Sequence, residues 1–181
     1  TADVVSMKNA PGEGITSPKK ILLEKNGIRM DAIFRYVDEE KSVAGAGGRG
    51  VELLFRDSYI FEPAAYWVNR TLGLHFVPPA VLRKVQGQSG SVQLWVENAV
   101  TEGERRKRGI HQPDPDRWNH AIFTMHVFDN LIYNTDRNVG NFLLDNNGDV
   151  WFIDHTRTFR RQTELNAPKD IQKVERRLWQ N

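Results

Sequence analysis

The chain has 181 residues, 39% apolar and 27% charged, which allows a buried core and excludes disordered, collagen-like and disulfide-stapled classes. The 25 Lys and Arg against 23 Asp and Glu leave a net charge of +2, too near balance to argue for a nucleic-acid partner, and none is expected. Cysteine is absent, so chemistry must rest on oxygen and nitrogen, and there is neither a membrane-length apolar run nor a signal-peptide pattern. The expectation is a soluble protein of the reducing cytoplasm, with a processed or exported form left open.

In chain order, residues 1–18 read as polar and irregular, with Gly12 and Gly14 flanking a turn that Pro18 closes. Lys20 to Val37 then carries two apolar, strand-like runs around Asn26-Gly27, which predicts an antiparallel hairpin. Asp38 to Gly50 is charged and then glycine-rich, the composition of a flexible surface connection. Apolar residues between Phe61 and Leu74 recur at helical spacing, with Glu62 at the start and Gly73 near the end. VPPAVLRKV and SVQLWVEN read as two strands joined by a turn around Gly87 to Gly90, with Pro78 and Pro79 at the entry.

The basic run Arg105 to Arg108 reads as a solvated loop. Arg117 to Tyr133 follows as a helix buried on one face, with Ile122, Met125, Phe128 and Ile132 on its stripe. NTDRNVGN then leads into FLLD, a turn at Asn146 to Asp149, and VWFID, which predicts a loop followed by a second hairpin. Residues 168–179 suggest a last amphipathic helix, and no repeat is apparent. The five tryptophans are dispersed and read as core, and the histidines show no metal-ligand spacing.

The residues with the most chemical content are Asp136, Asn141 five positions later, and Asp154 at the end of VWFID. A loop and a tight hairpin return the chain towards its starting point, so Asp154 can stand near Asn141. A carboxylate and an amide oxygen, completed by phosphates and water, suit magnesium, or manganese in its place. Asp136 is then available to orient an acceptor hydroxyl and take its proton. Asp145 and Asp149 flank Asn146-Asn147-Gly148 and read as turn residues.

The order D-x-x-x-x-N followed by a strand-borne Asp resembles the catalytic loop and metal Asp of the protein-kinase-like superfamily. NTDRNVGNFLLD and VWFIDHT look closer to its atypical branch, which holds phosphoinositide kinases and HipA-type kinases, than to ordinary protein kinases. Two departures stand out: Asn138 where the phosphoinositide branch usually writes His, and His155-Thr156 where ordinary kinases place Phe-Gly.

The resemblance spans residues 12–160 and implies an α+β, two-lobed fold. Residues 1–100 would form an antiparallel nucleotide-binding N-lobe, and 101–181 a helical C-lobe, short or incomplete, that carries the catalytic hairpin. It further implies Arg35 in place of the usual phosphate-gripping Lys, paired to Glu62. Its phosphate loop falls on GITSPKK, through Ser17 and Lys19, and its adenine hinge on Val96, Glu97 and Asn98. The implied activity is transfer of the ATP γ-phosphate to a hydroxyl on a protein or lipid. A pseudokinase-type scaffold that holds nucleotide without turnover is the alternative that Arg35 keeps open, and a metal-dependent hydrolase is a third reading.

Overall fold

The structure is a computed structural model that describes all residues except 12–16, 46–50, 113, 175 and 181. It is α+β, with mainly antiparallel sheets and four α-helices among the described residues. The chain divides into two compact units, residues 1–64 with 79–95, and residues 65–78 with 96–181. The expected boundary at 100/101 lies near the last crossing, but residues 65–78 pack with the second unit.

The first unit is built on a five-stranded sheet. Strands β1 (Asp3–Asn9), β2 (Lys19–Lys25), β3 (Ile28–Arg35), β6 (Ala80–Val85) and β7 (Gln88–Leu94) run in the order β1-β2-β3-β7-β6, and every neighbouring pair is antiparallel. The β2–β3 hairpin turns at Asn26 and Gly27, with φ of 52° and 77°. This is the left-handed pair that a two-residue turn requires and that Asn-Gly adopts readily. Ile21, Ala32, Phe34, Val85 and Val92 form the core on one face, with Val4, Leu23 and Tyr36 packed against it. The β6–β7 turn is Gln86-Gly87, tighter than expected, and Gln88 to Gly90 already belong to β7.

Two expectations change in this unit. Residues 3–9 are a strand; a register shift between Val4 and Ser6 breaks the alternation that would have revealed it. Asp38 onward is no mere connection, since β4 (Asp38–Gly45) pairs with β5 (Val51–Ser58) in a separate two-stranded ribbon. Residues 46–50 of the glycine-rich run lie outside the described residues, as do the expected turn at Gly12 and Gly14 and the first three residues of the GITSPKK stretch. Helix α1 (Phe61–Thr71) forms as expected, with Glu62 in its first turn, Arg70 in its last and Gly73 at φ 66° just beyond.

In the second unit, strands β8 (Ala99–Thr101), β9 (Phe142–Asp145) and β10 (Val150–Phe152) make an antiparallel sheet in the order β10-β9-β8. Helix α3 (Pro115–Leu131) starts at Asp114, whose carboxylate accepts from the N–H groups of Asp116 and Arg117. Its buried residues Ala121 and Phe128 meet Phe142, Leu144, Val150 and Phe152 in one core with Ala65, Leu74, Val77 and Ile132. Phe152 stacks on Phe76 and on Phe142, with centroids 4.9 and 5.7 Å apart.

The basic run is not a solvated loop but helix α2 (Glu102–Lys107), capped by the Thr101 hydroxyl, which accepts from Glu104 N. Buried Glu102 accepts from Arg105 Nε at 2.6 Å and Arg106 Nε at 2.6 Å, and the Arg105 guanidinium lies over the Trp118 ring. Burial pushes the Glu102 carboxyl up, but hydrogen bonds and charge from Arg105 and Arg106 outweigh it and hold it below the ordinary value. The expected helix at 168–179 is reduced to a 3-10 turn (Pro168–Asp170) and the short α4 (Arg176–Gln180). Trp67 and Trp179 are exposed rather than core. Among the described residues no helix is long and apolar enough to cross a membrane.

Candidate functional site

Helix α3 ends in a bend that creates the site. Tyr133 adopts φ 51°, and the Asn134 N–H returns to the Asp129 carbonyl at 2.7 Å, so the chain leaves the helix with Asn134 buried beside Asp129. The Asn134 carboxamide then bonds in two directions, donating to Asp129 Oδ1 (2.9 Å) and accepting from the Asp136 N–H (2.9 Å). Asp136 is therefore held by its backbone, and its carboxylate meets Arg157 Nη1 at 3.5 Å.

Asn141 closes the same loop. Its Nδ2 donates to the Asp136 carbonyl at 2.9 Å, and its own carbonyl accepts from the Ile153 N–H at 3.2 Å. These two bonds join the backbone of Asp136, the strand-entry residue Asn141 and Ile153, the residue before Asp154. With Nδ2 committed, the Asn141 amide oxygen is the atom left to serve as a cation ligand. Asp154 sits at φ 59°, in the left-handed region that Asp tolerates better than most residues, and its Oδ1 accepts from Thr156 Oγ1 at 3.2 Å. A non-glycine residue held there is the kind of local strain that concentrates at functional positions.

The donor set of one amide oxygen and one carboxylate fits a hard cation that draws its remaining ligands from phosphate and water. Among the described residues there is no group of three or more His, Asp or Glu side chains that could cage a metal without such help. Asp145 behaves as the turn residue expected, accepting from the N–H groups of Asn147 and Asp149 and from Trp151 Nε1. Asp149 pairs with Arg117.

In the first unit, Arg35 at the end of β3 and Glu62 in α1 are brought together. Arg35 Nε lies 3.6 Å from Glu62 Oε1, and the two side chains are 7% and 0% exposed. Gln93 of β7, also buried, ties the pair by donating to Glu62 Oε2 at 3.1 Å and accepting from Arg35 Nη1 at 3.5 Å. Ser17 is exposed at φ 43°, and its carbonyl accepts from the Tyr36 hydroxyl. Lys19 opens β2 opposite Phe34, and its ammonium donates to Asn9 Oδ1 at 2.7 Å. Val96, Glu97 and Asn98 follow β7 as the last link between the two units. Glu97 and Asn98 form an exposed turn with Asn98 at φ 53°, so the expected strand ends earlier, at Leu94.

Sequence reasoning missed Gln93, Asp129, Asn134 and Arg137, and it noted His155 only for its place after Asp154. Buried His155 meets Phe128 edge-on, and its Nε2 lies 3.1 Å from Arg137 Nη2. Arginine can only donate, so Nε2 is the accepting side of this contact. The available signal was a polar residue inside an apolar pattern: Gln93 between Val92 and Leu94, and Asp129-Asn130 at the foot of an apolar helix stripe. No family model and no curated protein matches this chain.

Proposed function

We propose that this chain is the catalytic core of an ATP-dependent phosphotransferase of the protein-kinase-like type, moving the γ-phosphate to a hydroxyl acceptor on a protein or lipid. The observation that carries this reading is the convergence of Asp136, Asn141 and Asp154 through the Asn141 carboxamide and the Ile153 N–H. In this reading Asn141 and Asp154 hold magnesium, or manganese, with the nucleotide phosphates; the cation neutralises charge on those phosphates when bound. Asp136 orients the acceptor hydroxyl and receives its proton. Thr156 fixes one oxygen of Asp154, and Asn134 fixes the backbone of Asp136.

The two-lobed kinase-like architecture belongs to the same proposal. It is supported by a first unit made of an antiparallel sheet with a Glu at the start of a helix, and a second unit made of a loop and hairpin beside a long helix. Arg35 with Glu62 takes the place of the Lys–Glu pair. Ser17, Lys19, Val96, Glu97 and Asn98 are the remaining nucleotide contacts proposed, at the phosphates and the adenine respectively.

One observation favours the second reading, a nucleotide-binding scaffold without turnover: the Arg35 guanidinium is nearly buried and engaged by both Glu62 and Gln93. ATP titration with and without magnesium, followed by a radiolabelled transfer assay over protein and phosphoinositide acceptors, decides between them. Magnesium-dependent ATP binding with label transfer is the expected result. Binding without transfer favours the scaffold, and no binding removes both readings.

A further inference from the structure

Arg137, next to Asp136 in sequence, reaches both chain segments that carry the cation ligands proposed above. Its Nε and Nη2 grip both oxygens of Asp129, at 2.8 and 3.0 Å. Its Nη1 donates to the Asn141 carbonyl at 2.5 Å and to the Ile153 carbonyl at 3.2 Å, while Nη2 also faces His155 Nε2. The guanidinium lies 5.4 Å from the centroid of the Phe152 ring. Arg137 and Asp129 are 12% and 11% exposed, so the pair is shielded from water, and its charge-assisted bonds are stronger for it.

The two carbonyls that share Nη1 belong to Asn141 itself and to the residue immediately before Asp154. A single nitrogen thus sets the separation of the two chain segments that carry the cation ligands. Asp129 fixes that nitrogen from behind, since a planar fork held at both carboxylate oxygens has no freedom to rotate. The same carboxylate accepts from Asn134, which positions the Asp136 backbone. We propose that Arg137 and Asp129 are positioning residues that fix Asn141 and Asp154 for magnesium, and that this pair, rather than the ligands alone, sets cation affinity. This inference rests on the phosphotransferase reading of the site. Lysine cannot replace Arg137, because an ammonium offers three donors from one atom and cannot hold two carboxylate oxygens and two carbonyls at once.

The test uses the full chain and two variants, Arg137→Lys and Asp129→Asn, each followed by thermal unfolding and by ATP titration in EDTA and over a magnesium series. The expected result is a magnesium concentration for half-maximal ATP binding that rises about 10- to 100-fold, the usual effect of removing a group that orients a metal ligand. ATP affinity in EDTA stays at the wild-type value. A folded variant with unchanged magnesium dependence overturns the inference. So does loss of the cooperative unfolding transition in both variants, which would make the pair a packing strut only. A wild-type protein whose ATP affinity ignores magnesium overturns the phosphotransferase reading itself, and that result appears before any variant is made.

Discussion

Replacing Glu62 by alanine tests whether the Arg35–Glu62–Gln93 group is a coupled unit. At 3.6 Å the ion pair has a gross attraction of about 5 kcal/mol for an effective dielectric of about 20. Desolvation of two ions buried to this degree consumes most of that, so the net contribution of the intact pair is small. Removing one partner is different, because the guanidinium stays buried while its carboxylate is gone, at about 3–5 kcal/mol. Gln93 still accepts from Arg35, so the lower end applies, and Glu62→Ala should cost about 3 kcal/mol. For a chain of this length that is a fall of about 6–12 °C in Tm. Urea unfolding followed by tryptophan fluorescence measures it.

Arg35→Met with Glu62→Met should recover only part of the loss, because the Gln93 carboxamide then loses both partners, at about 1–3 kcal/mol. Adding Gln93→Leu should recover the rest while ATP affinity stays lost. A cost below about 1 kcal/mol for Glu62→Ala, with additive behaviour in the double variant, would refute the coupling of Arg35 to Glu62.

Asp154→Asn should weaken magnesium-dependent ATP binding and abolish transfer together, whereas Asp136→Asn should keep nucleotide affinity and lower turnover about 10²- to 10⁴-fold; titration plus a turnover assay separates them. Because the folded Glu102 carboxyl titrates below its ordinary value of 4.5, its stabilisation is fully present above that pH and is lost as pH falls through the lower folded value. Acid unfolding curves should therefore show wild type losing more stability than Glu102→Gln as pH falls below 4.5. Gly90→Ala would place a Cβ 2.3 Å from the Arg35 carbonyl oxygen and 2.3 Å from the Phe34 ring. The β3–β7 pair would have to part, so urea unfolding should report a loss of at least about 1–3 kcal/mol.

The hairpins were readable because their signals are local. Asn26-Gly27 and Asp145 to Asp149 form their turns from side chains within five residues of one another. Strand β1 was unreadable for a different reason: it lies at the edge of the sheet, mostly exposed, and its register shift moves Val4 and Met7 out of strict alternation. The β4–β5 ribbon has a charged first strand that runs into the glycine-rich stretch, and its evidence lies in the pairing of Asp38 with Ser58, twenty positions apart. Helix α2 was hidden by its charges. Periodicity searches look for apolar faces, and the buried residue here is Glu102, acceptable in the interior only because two arginines satisfy it.

The candidate site divides along the same line. Asp136, Asn141 and Asp154 lie within nineteen residues, and the bonds that gather them join backbone to backbone or side chain to a carbonyl. Such a site is legible because the loop and hairpin that write the spacing also make the geometry. The bonds that join Arg35, Glu62 and Gln93 run from side chain to side chain, with Arg35 and Gln93 58 positions apart and Glu62 and Gln93 31 apart. The local pattern marks Gln93 only as a polar residue between Val92 and Leu94 and does not name its distant partners. The consequence is asymmetric. Substitutions around Asn141 should be tolerated where they spare the backbone bonds and Arg137, whereas any change of size at Arg35, Glu62 or Gln93 reaches the other two members directly.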